Sequence, residues 1–419
     1  MIESIQIKNF RGIQTGQIDR FRKFNLLLGP NNSGKSAVME MLYLSGAANR
    51  KARLTVQQAG LSYDGDVLER DFLGDDPMAR VLTRHNYADL PAGLTPSQNA
   101  LRVDISGPPG PLPSFDIDLG VRHTTDEPYP IGLFSFKVGA SLSQEEQSRE
   151  LEYFDLVGKL MGEDVPNLGS GQVSYCWAAD LAYNQSGSAV WAVKDWNILP
   201  RQTLFYDVSN TLSHLPMSFF RKMIVTVPGW SQKIARAFSQ VIGVGAPFNV
   251  QFLTTDREQK WAQGWIAPED QIAMTIDSYG DGARMVFKLL TPLLALAEVS
   301  GKGLPGLFIW EEPELFQNPR ALGQLLAEVA SLMKDKPMQL FIATHSLEVV
   351  AHFTSLVQEG KVEPDDLMAF RFGLEDGKLN SSWFSADNLI VWLEEGLDPR
   401  VLGDLKSPLQ FSFREEGEQ

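Results

Sequence analysis

Gly29-Pro30-Asn31-Asn32-Ser33-Gly34-Lys35-Ser36 fits the pattern G-x-x-x-x-G-K-[ST]. Average composition gives a chain of this length such a match by chance only about 1–2% of the time. Context adds to it. Phe24 to Leu28 is an apolar run that reads as a buried strand. Ala37, Val38, Met39, Leu42, Tyr43 and Leu44 then recur at helical spacing. The chemistry such a loop serves is phosphate binding. Glycines let the backbone curl so that its N–H groups converge on phosphate oxygens. The positive end of the following helix adds to the attraction. Asn31, Asn32, Ser33, Gly34, Lys35 and Ser36 are the expected cradle. Lys35 would set its charge against β- and γ-phosphates, and Ser36 would offer its hydroxyl to Mg²⁺.

Cleavage of a nucleotide needs an acid at the end of a second strand. Leu307-Phe308-Ile309-Trp310-Glu311-Glu312-Pro313-Glu314 has that form. Glu311 is the candidate for the Mg²⁺ hydration shell. Glu312 is the candidate to orient or deprotonate the attacking water. Adjacent acids at a strand end are common as solvated loop charges. Here the phosphate loop and the sheet pattern favour the catalytic role. Phe341-Ile342-Ala343-Thr344-His345-Ser346 follows a buried strand and opens a helix, where catalytic groups of α/β sheets gather. A neutral His345 could hydrogen-bond a γ-phosphate or the attacking water. Asp277-Ser278-Tyr279-Gly280-Asp281-Gly282-Ala283-Arg284 opens an apolar helix. Alone it marks a turn and cap. As an anion-binding helix start it would suit a γ-phosphate held by another subunit.

These residues need a sheet to position them. Ile2, Ile5 and Ile7 alternate with polar residues and read as a first strand. From residue 283 the chain reads helix 283–299, strand 306–311, helix 319–333, strand 338–343 and helix 346–358. A strand from Leu367 to Phe372 and a short helix 387–395 follow. Such alternation implies a parallel sheet with helices on both faces. The middle differs. Leu101, Val103 and Ile105 alternate with polar residues, as do Phe115, Ile117, Leu119 and Val121. Leu133 to Val138 is a further strand candidate. Pro- and Gly-rich breaks between these runs imply an antiparallel β insertion. Residues 143–163 read as a helix, with Ser143 as N-cap and Glu146 completing a capping box. Six of the nine tryptophans fall between Trp177 and Trp265. Core packing of an irregular lobe is the simpler account, and a partner-binding surface is the alternative. The expected division is a nucleotide-binding core from residues 1–60 and 270–419, with 61–269 as an inserted lobe.

Composition narrows the classes. The chain has 419 residues, 43% hydrophobic and 21% charged, which argues against a disordered protein. One cysteine, Cys176, excludes an intramolecular disulfide, and five scattered histidines assemble no Cys/His zinc cluster. No apolar run approaches the roughly 20 residues that span a bilayer. Met1-Ile2-Glu3-Ser4 opens no signal peptide, so a cytoplasmic protein without a membrane partner is expected. A net charge of −15 argues against wrapping duplex DNA by charge alone. Residues 1–50 are nonetheless basic, with seven Lys/Arg against three Asp/Glu, and they hold the phosphate motif.

In this order the four motifs resemble those of the ABC-type ATPase domains of the SMC/RecF/OLD group. Ile5-Gln6-Ile7-Lys8-Asn9-Phe10-Arg11-Gly12 is similar to that group's N-terminal strand motif. Glu311-Glu312-Pro313-Glu314 resembles the acidic motif of OLD-like ATPases, and Ala343-Thr344-His345-Ser346 the switch-histidine loop. Ser278-Tyr279-Gly280-Asp281-Gly282 occupies the place of the signature motif but departs from the Leu-Ser-Gly-Gly-Gln form. The resemblance covers roughly residues 1–50 and 270–400. It implies an α/β fold: an ABC-type P-loop ATPase head with a mostly parallel sheet flanked by helices. An antiparallel β subdomain and an inserted mixed lobe would join it. It also implies ATP and Mg²⁺ as ligands. The assembly implied is a head-to-tail homo-oligomer in which Ser278, Gly280 and Gly282 meet the opposite copy's nucleotide.

Departures from the group narrow the expectation. No heptads fill the 243 residues from Lys35 to Ser278, which argues against a long-armed SMC protein. The chain stops soon after Arg400, which on this expectation leaves no room for the TOPRIM nuclease domain of OLD nucleases. What remains resembles the stand-alone ATPase subunits of bacterial antiphage systems such as PARIS or Septu. There a separately encoded effector, a nuclease or toxin, is implied as partner. A RecF-like DNA-binding repair ATPase is the alternative. A module that uses ATP for assembly with negligible hydrolysis is a third.

Overall fold

Phe24-Asn25-Leu26-Leu27-Leu28 is buried at all five positions, which suits a strand covered on both faces. In this structure, a computed structural model, that strand lies inside the parallel half of a large sheet. The structure describes residues 2–10, 12–47, 52–57, 60–65, 72–73, 80, 99–106, 114–123, 135–141, 172–175, 202–243, 248–254, 261–267, 272–300 and 306–400. The first nine strands are β1 (Ile2–Phe10), β2 (Ile13–Asp19), β3 (Phe24–Leu28), β4 (Ala52–Gln57), β5 (Gly60–Gly65), β6 (Asn99–Ser106), β7 (Ser114–His123), β8 (Ser135–Ser141) and β9 (Gln172–Tyr175). The later ones are β10 (Gln202–Tyr206), β11 (Leu215–Pro216), β12 (Asn249–Thr254), β13 (Trp261–Ala267), β14 (Met274–Thr275), β15 (Gly306–Glu311), β16 (Met338–Ala343), β17 (Leu367–Glu375) and β18 (Lys378–Ser385). The helices are α1 (Lys35–Ala47), α2 (Val208–Leu212), α3 (Met217–Thr226), α4 (Trp230–Ile242), α5 (Asp281–Ser300), α6 (Pro319–Met333), α7 (Leu347–Gln358) and α8 (Ala386–Glu394).

Twelve strands form one sheet, in the order β10-β15-β16-β3-β17-β18-β2-β1-β8-β7-β6-β9. The first five are mutually parallel. Beyond them every pair is antiparallel except β18 with β2. Side chains alternate between the two faces of each strand. Leu26, Leu204, Phe308, Trp310 and Ile342 join the core formed with α4 to α7. Phe205, on the opposite face of β10, meets Tyr43 of α1 with ring centroids 5.3 Å apart. Helices therefore cover both faces, as the βα alternation requires. Trp310 stacks on Phe308 at 5.7 Å, two residues along the same face.

The expected elements from residue 283 onward are present with small shifts. α5 starts at Asp281, and Ser346 caps α7 rather than entering it, its side chain accepting from the Glu348 N–H. The strand from Leu367 runs on to Glu375. It turns through Asp376 and Gly377, at φ 49° and 78°, into β18. β2 and β18 add to the expected set. In β18 only Leu379 is buried, so the segment shows no apolar alternation. The strands β6, β7 and β8 are antiparallel, as expected of the insertion, and they extend the main sheet through β8 on β1. β8 begins at Ser135, two residues after the expected start. The expected helix 143–163 lies outside the described residues. Residues 202–206, within the span 61–269, form the outer strand of the parallel half.

A second sheet, β11-β13-β12 with β14 on β13, packs on α3, α4 and α5 through aromatic rings. Phe220 and Phe252 lie 4.3 Å apart, and Trp230 stacks on Phe252 at 5.4 Å. Trp230 is buried and donates its indole N–H to the Thr291 carbonyl at 3.1 Å. Trp261 is 44% exposed. Trp177, Trp191 and Trp196 lie outside the described residues. Among the described residues, no helix is long and apolar enough to cross a membrane.

Candidate active site

The phosphate loop leaves the end of β3. Its backbone takes left-handed or related angles at Gly29 (φ 136°), Asn32 (62°) and Gly34 (93°). Only glycine holds the angle at Gly34 without strain, and a Cβ there would also stand 3.0 Å from Leu379. Lys35 opens α1 and is 7% exposed. Its Nζ donates to the carbonyls of Gly29 at 2.8 Å and Pro30 at 2.9 Å. Burial lowers its pKa to about 8, against the opposing pull of the Glu312 and Glu314 carboxylates. Those two acids, some 280 residues away in sequence, are thus electrostatic neighbours of Lys35.

The acidic residues leave the end of β15. Glu311 still pairs with Ala343 of β16. Glu312 takes φ 49°, and its N–H donates to the Ala343 carbonyl at 2.8 Å. A non-glycine residue in this region costs energy and is retained where function or packing demands it. Glu314 turns back. Thr344 Oγ1 lies 2.9 Å from both its carboxylate oxygens, and the His345 N–H donates to Oε1 at 2.9 Å. The Thr344 N–H reaches the Leu27 carbonyl at 3.2 Å. Three neighbouring parallel strands, β15, β16 and β3, therefore end in three loops tied to one another. This is the carboxyl edge at which α/β sheets hold ligands.

His345 sits between the acidic loop and the phosphate loop. Burial and the positive charge of Lys35 hold its pKa below the usual histidine value; Glu312 and Glu314 oppose this, and Arg400 reinforces it. The ring is therefore biased toward the neutral form. Two residues here carry no role from sequence alone. Glu314 lies in the acidic motif yet serves to bind the next loop. Arg400 is drawn in from behind α8, and its guanidinium donates to the His345 carbonyl. No spacing rule points to Arg400, because its place depends on the whole fold.

The segment 278–282 packs beside the acidic loop. Ser278 and Thr275 hydroxyls pair at 2.9 Å, and Gly280 faces open space. Gly282 packs against the Phe316 carbonyl, and its own carbonyl accepts from Gln317 at 3.0 Å. The structure thus makes Lys35, Glu312 and His345 electrostatic neighbours, and sets Ser278, Gly280 and Gly282, the last in the first turn of α5, beside the segment that follows the acidic motif.

Residues 1–60 match the family model described as "AAA ATPase domain". Residues 177–351 match the model described as "AAA domain, putative AbiEii toxin, Type IV TA system". The first span holds Lys35, and the second holds Glu312 and His345. Both models describe AAA-type ATPase domains. Over 43 residues, 10% of this chain and 12% of the relative, the chain is 49% identical to an ATP/GTP phosphatase of Helicobacter pylori. Over 106 residues, 25% of this chain and 27% of the relative, it is 32% identical to the DNA replication and repair protein RecF of Vibrio campbellii. The chain spans between 12% and 27% of the length of the curated relatives it matches. Among solved structures, the Smc head bound to the C-winged helix domain of ScpA aligns over 93% of this chain and 99% of that one. Its TM-score is 0.45 and its identity 12%. The SMC head domain from Thermotoga maritima aligns over 91% and 98%, at TM-score 0.36 and 11% identity.

AAA-type ATPase domains work on magnesium nucleotides, and the donor set can be tested for that ion. Mg²⁺ takes oxygen ligands and retains several waters. Ser36 presents an exposed hydroxyl in the first turn of α1, and Glu311 a half-buried carboxylate at the end of β15. Both are hard oxygen donors, so they fit. Among the described residues, no group of three or more His, Cys, Asp or Glu could hold a metal unaided. Phosphate oxygens and water would complete the shell.

Proposed function

We propose that this chain binds ATP in the cradle 29–36 and hydrolyses it with Glu312 as general base. The observation that carries the reading is the meeting of Lys35, Glu312 and His345 at adjacent strand ends. Backbone N–H groups of Asn31 to Ser36 hold the phosphates. Lys35 leaves the carbonyls of Gly29 and Pro30 for the β- and γ-phosphate oxygens. Mg²⁺, held by Ser36 and Glu311, neutralises phosphate charge when bound. Glu312 takes the proton of the attacking water, and neutral His345 hydrogen-bonds the γ-phosphate or that water.

The assembly we infer is a homo-oligomer. Gly280 faces open space at the start of α5, which supports Ser278, Gly280 and Gly282 capping the nucleotide of an opposite copy. ATP would then add contacts across the interface, and hydrolysis would withdraw them. Residues 1–60 and 270–419, together with β10, form the ATPase core on this reading, with the remainder of 61–269 as a lobe. The biological role is that of a cytoplasmic sensor or scaffold subunit in an antiphage system, restraining a separately encoded nuclease or toxin. The net charge of −15 and the toxin–antitoxin wording of one matched family model support it.

The 106-residue match to RecF favours a second reading, a DNA-binding repair ATPase. Light scattering with ATP and Mg²⁺, followed by gel retardation of duplex DNA across a salt series, separates the two. ATP-dependent growth in mass without DNA retention supports the first. Retention with a steep salt slope supports the second. No ATP binding by the wild-type chain overturns both.

A further inference from the structure

We propose that Arg400 is a positioning residue for His345, holding the peptide unit that follows it while Glu314 holds the one that precedes it. The proposal rests on the ATPase reading for its catalytic meaning, and on the hydrogen bonds for its structural content. The His345 N–H belongs to the peptide unit shared with Thr344, and it donates to Glu314 Oε1 at 2.9 Å. The His345 carbonyl belongs to the unit shared with Ser346, and it accepts from Arg400 Nη1. Peptide units are planar, so fixing both leaves the Cα–Cβ direction of His345 no freedom. The backbone from which the imidazole projects is thereby held by two opposite charges from two distant segments.

Arg400 is itself held. Its Nε lies 2.9 Å and 3.0 Å from the two oxygens of Asp398, and Nη2 joins the same carboxylate. Its backbone N–H donates to Asp398 Oδ1 at 2.9 Å, and its carbonyl accepts from Arg371 of β17 at 3.1 Å. Asp398 is 7% exposed. A planar guanidinium gripped along one edge presents its remaining N–H groups in a fixed direction, which a lysine cannot do. Neither Asp398 nor Arg400 has any part in phosphate binding or water activation as described above. The charged groups that act on His345 are Lys35 of α1, Glu312 and Glu314 of the acidic loop, and Arg400, itself paired with Asp398. The positive charge of Arg400 acts in the same direction as that of Lys35, which helps keep the ring neutral.

The test uses the full chain and the variants Arg400→Gln, Arg400→Lys and Asp398→Asn. NMR titration follows the His345 imidazole, assigned with His345→Asn, and ATP turnover and ATP affinity are measured in parallel. Arg400→Gln is expected to raise the His345 pKa and move the acid limb of the kcat–pH profile upward with it. It should lower kcat about tenfold while leaving the ATP Kd within about twofold. Arg400→Lys restores the titration but only part of kcat. Asp398→Asn shifts both in the direction of Arg400→Gln, by less. An unmoved imidazole titration and unmoved kcat in Arg400→Gln, with ATP binding still lost in Lys35→Ala, overturn this proposal and leave the ATPase reading standing. Absence of turnover in the wild type overturns that reading, and the imidazole titration then decides the positioning claim by itself.

Discussion

Gln317 donates its side-chain amide to the carbonyl of Gly282 at 3.0 Å. One residue lies just past the acidic loop, the other in the loop that stands in the signature position. The Phe316 carbonyl adds to the lock, since a Cβ on Gly282 would stand 2.6 Å from it. Phe316 holds φ 64°, a strained angle for an aromatic residue. The two loops are thus one mechanical unit. Gly282→Ala has backbone in its way and is expected to cost about 1–3 kcal/mol in urea unfolding. ATP affinity at Lys35 should persist. Wild-type stability in this variant would show that the loops are not locked.

ATP affinity should depend on pH through Lys35. Its pKa of about 8 reflects burial, only partly offset by Glu312 and Glu314. The protonated amine is the form that attracts polyphosphate, so raising the pH opposes binding. Affinity is expected to be level below pH 8 and to weaken above it, by up to about tenfold per pH unit. Calorimetric titrations at fixed Mg²⁺ from about pH 7 to about pH 9.5 cover the window. A flat profile would contradict the assignment of Lys35.

The signature-position loop is anchored by an ion pair between a buried lysine and a half-buried aspartate. Lys288 meets Asp277 at 2.8 Å and donates to the carbonyls of Thr211 at 2.9 Å and Ser213 at 3.0 Å. Burial raises the Asp277 carboxyl, but Lys288, Gln263 and His214 together hold it below the usual aspartate range. A depressed folded pKa contributes stability above the unfolded value, and that stability is lost as pH falls through the folded one. Asp277→Ala strands the Lys288 charge and is expected to cost about 3 kcal/mol at neutral pH. Lys288→Met should cost less, because Asp277 keeps its bond from Gln263. Denaturant unfolding at neutral and strongly acid pH checks both. A gap between wild type and Asp277→Ala that stays constant into acid would refute the ion-pair account.

Where the chain is buried on both faces, the sequence declares itself. Phe24–Leu28, Leu307–Trp310 and Met338–Ala343 are continuous apolar runs, and each became a strand of the parallel half. The start of α6 is equally plain, with Asn318 accepting from the Ala321 N–H and Pro319 in the first turn. β18 was hidden because Lys378–Ser385 buries little beyond Leu379, and its pairing comes from the tight turn at Asp376–Gly377. β10 was hidden within an aromatic-rich span whose pattern suggested no sheet. In the site, Lys35, Glu312 and His345 could be named because each follows a buried strand. Glu314 and Arg400 could not be given their places. Their partners lie in the His345 loop, 31 and 55 residues away, and only the folded chain brings them together.

Steady-state phosphate release by Glu312→Gln, at saturating ATP and Mg²⁺, bears on the central claim more directly than any other measurement. The variant keeps the shape of the side chain and the cradle at Lys35, but it removes the base. A fall in kcat of about a hundredfold or more, with ATP still bound and the assembly persisting, is the result the account requires. Turnover equal to wild type would contradict it, because the proton of the attacking water would then leave by a route that does not involve Glu312.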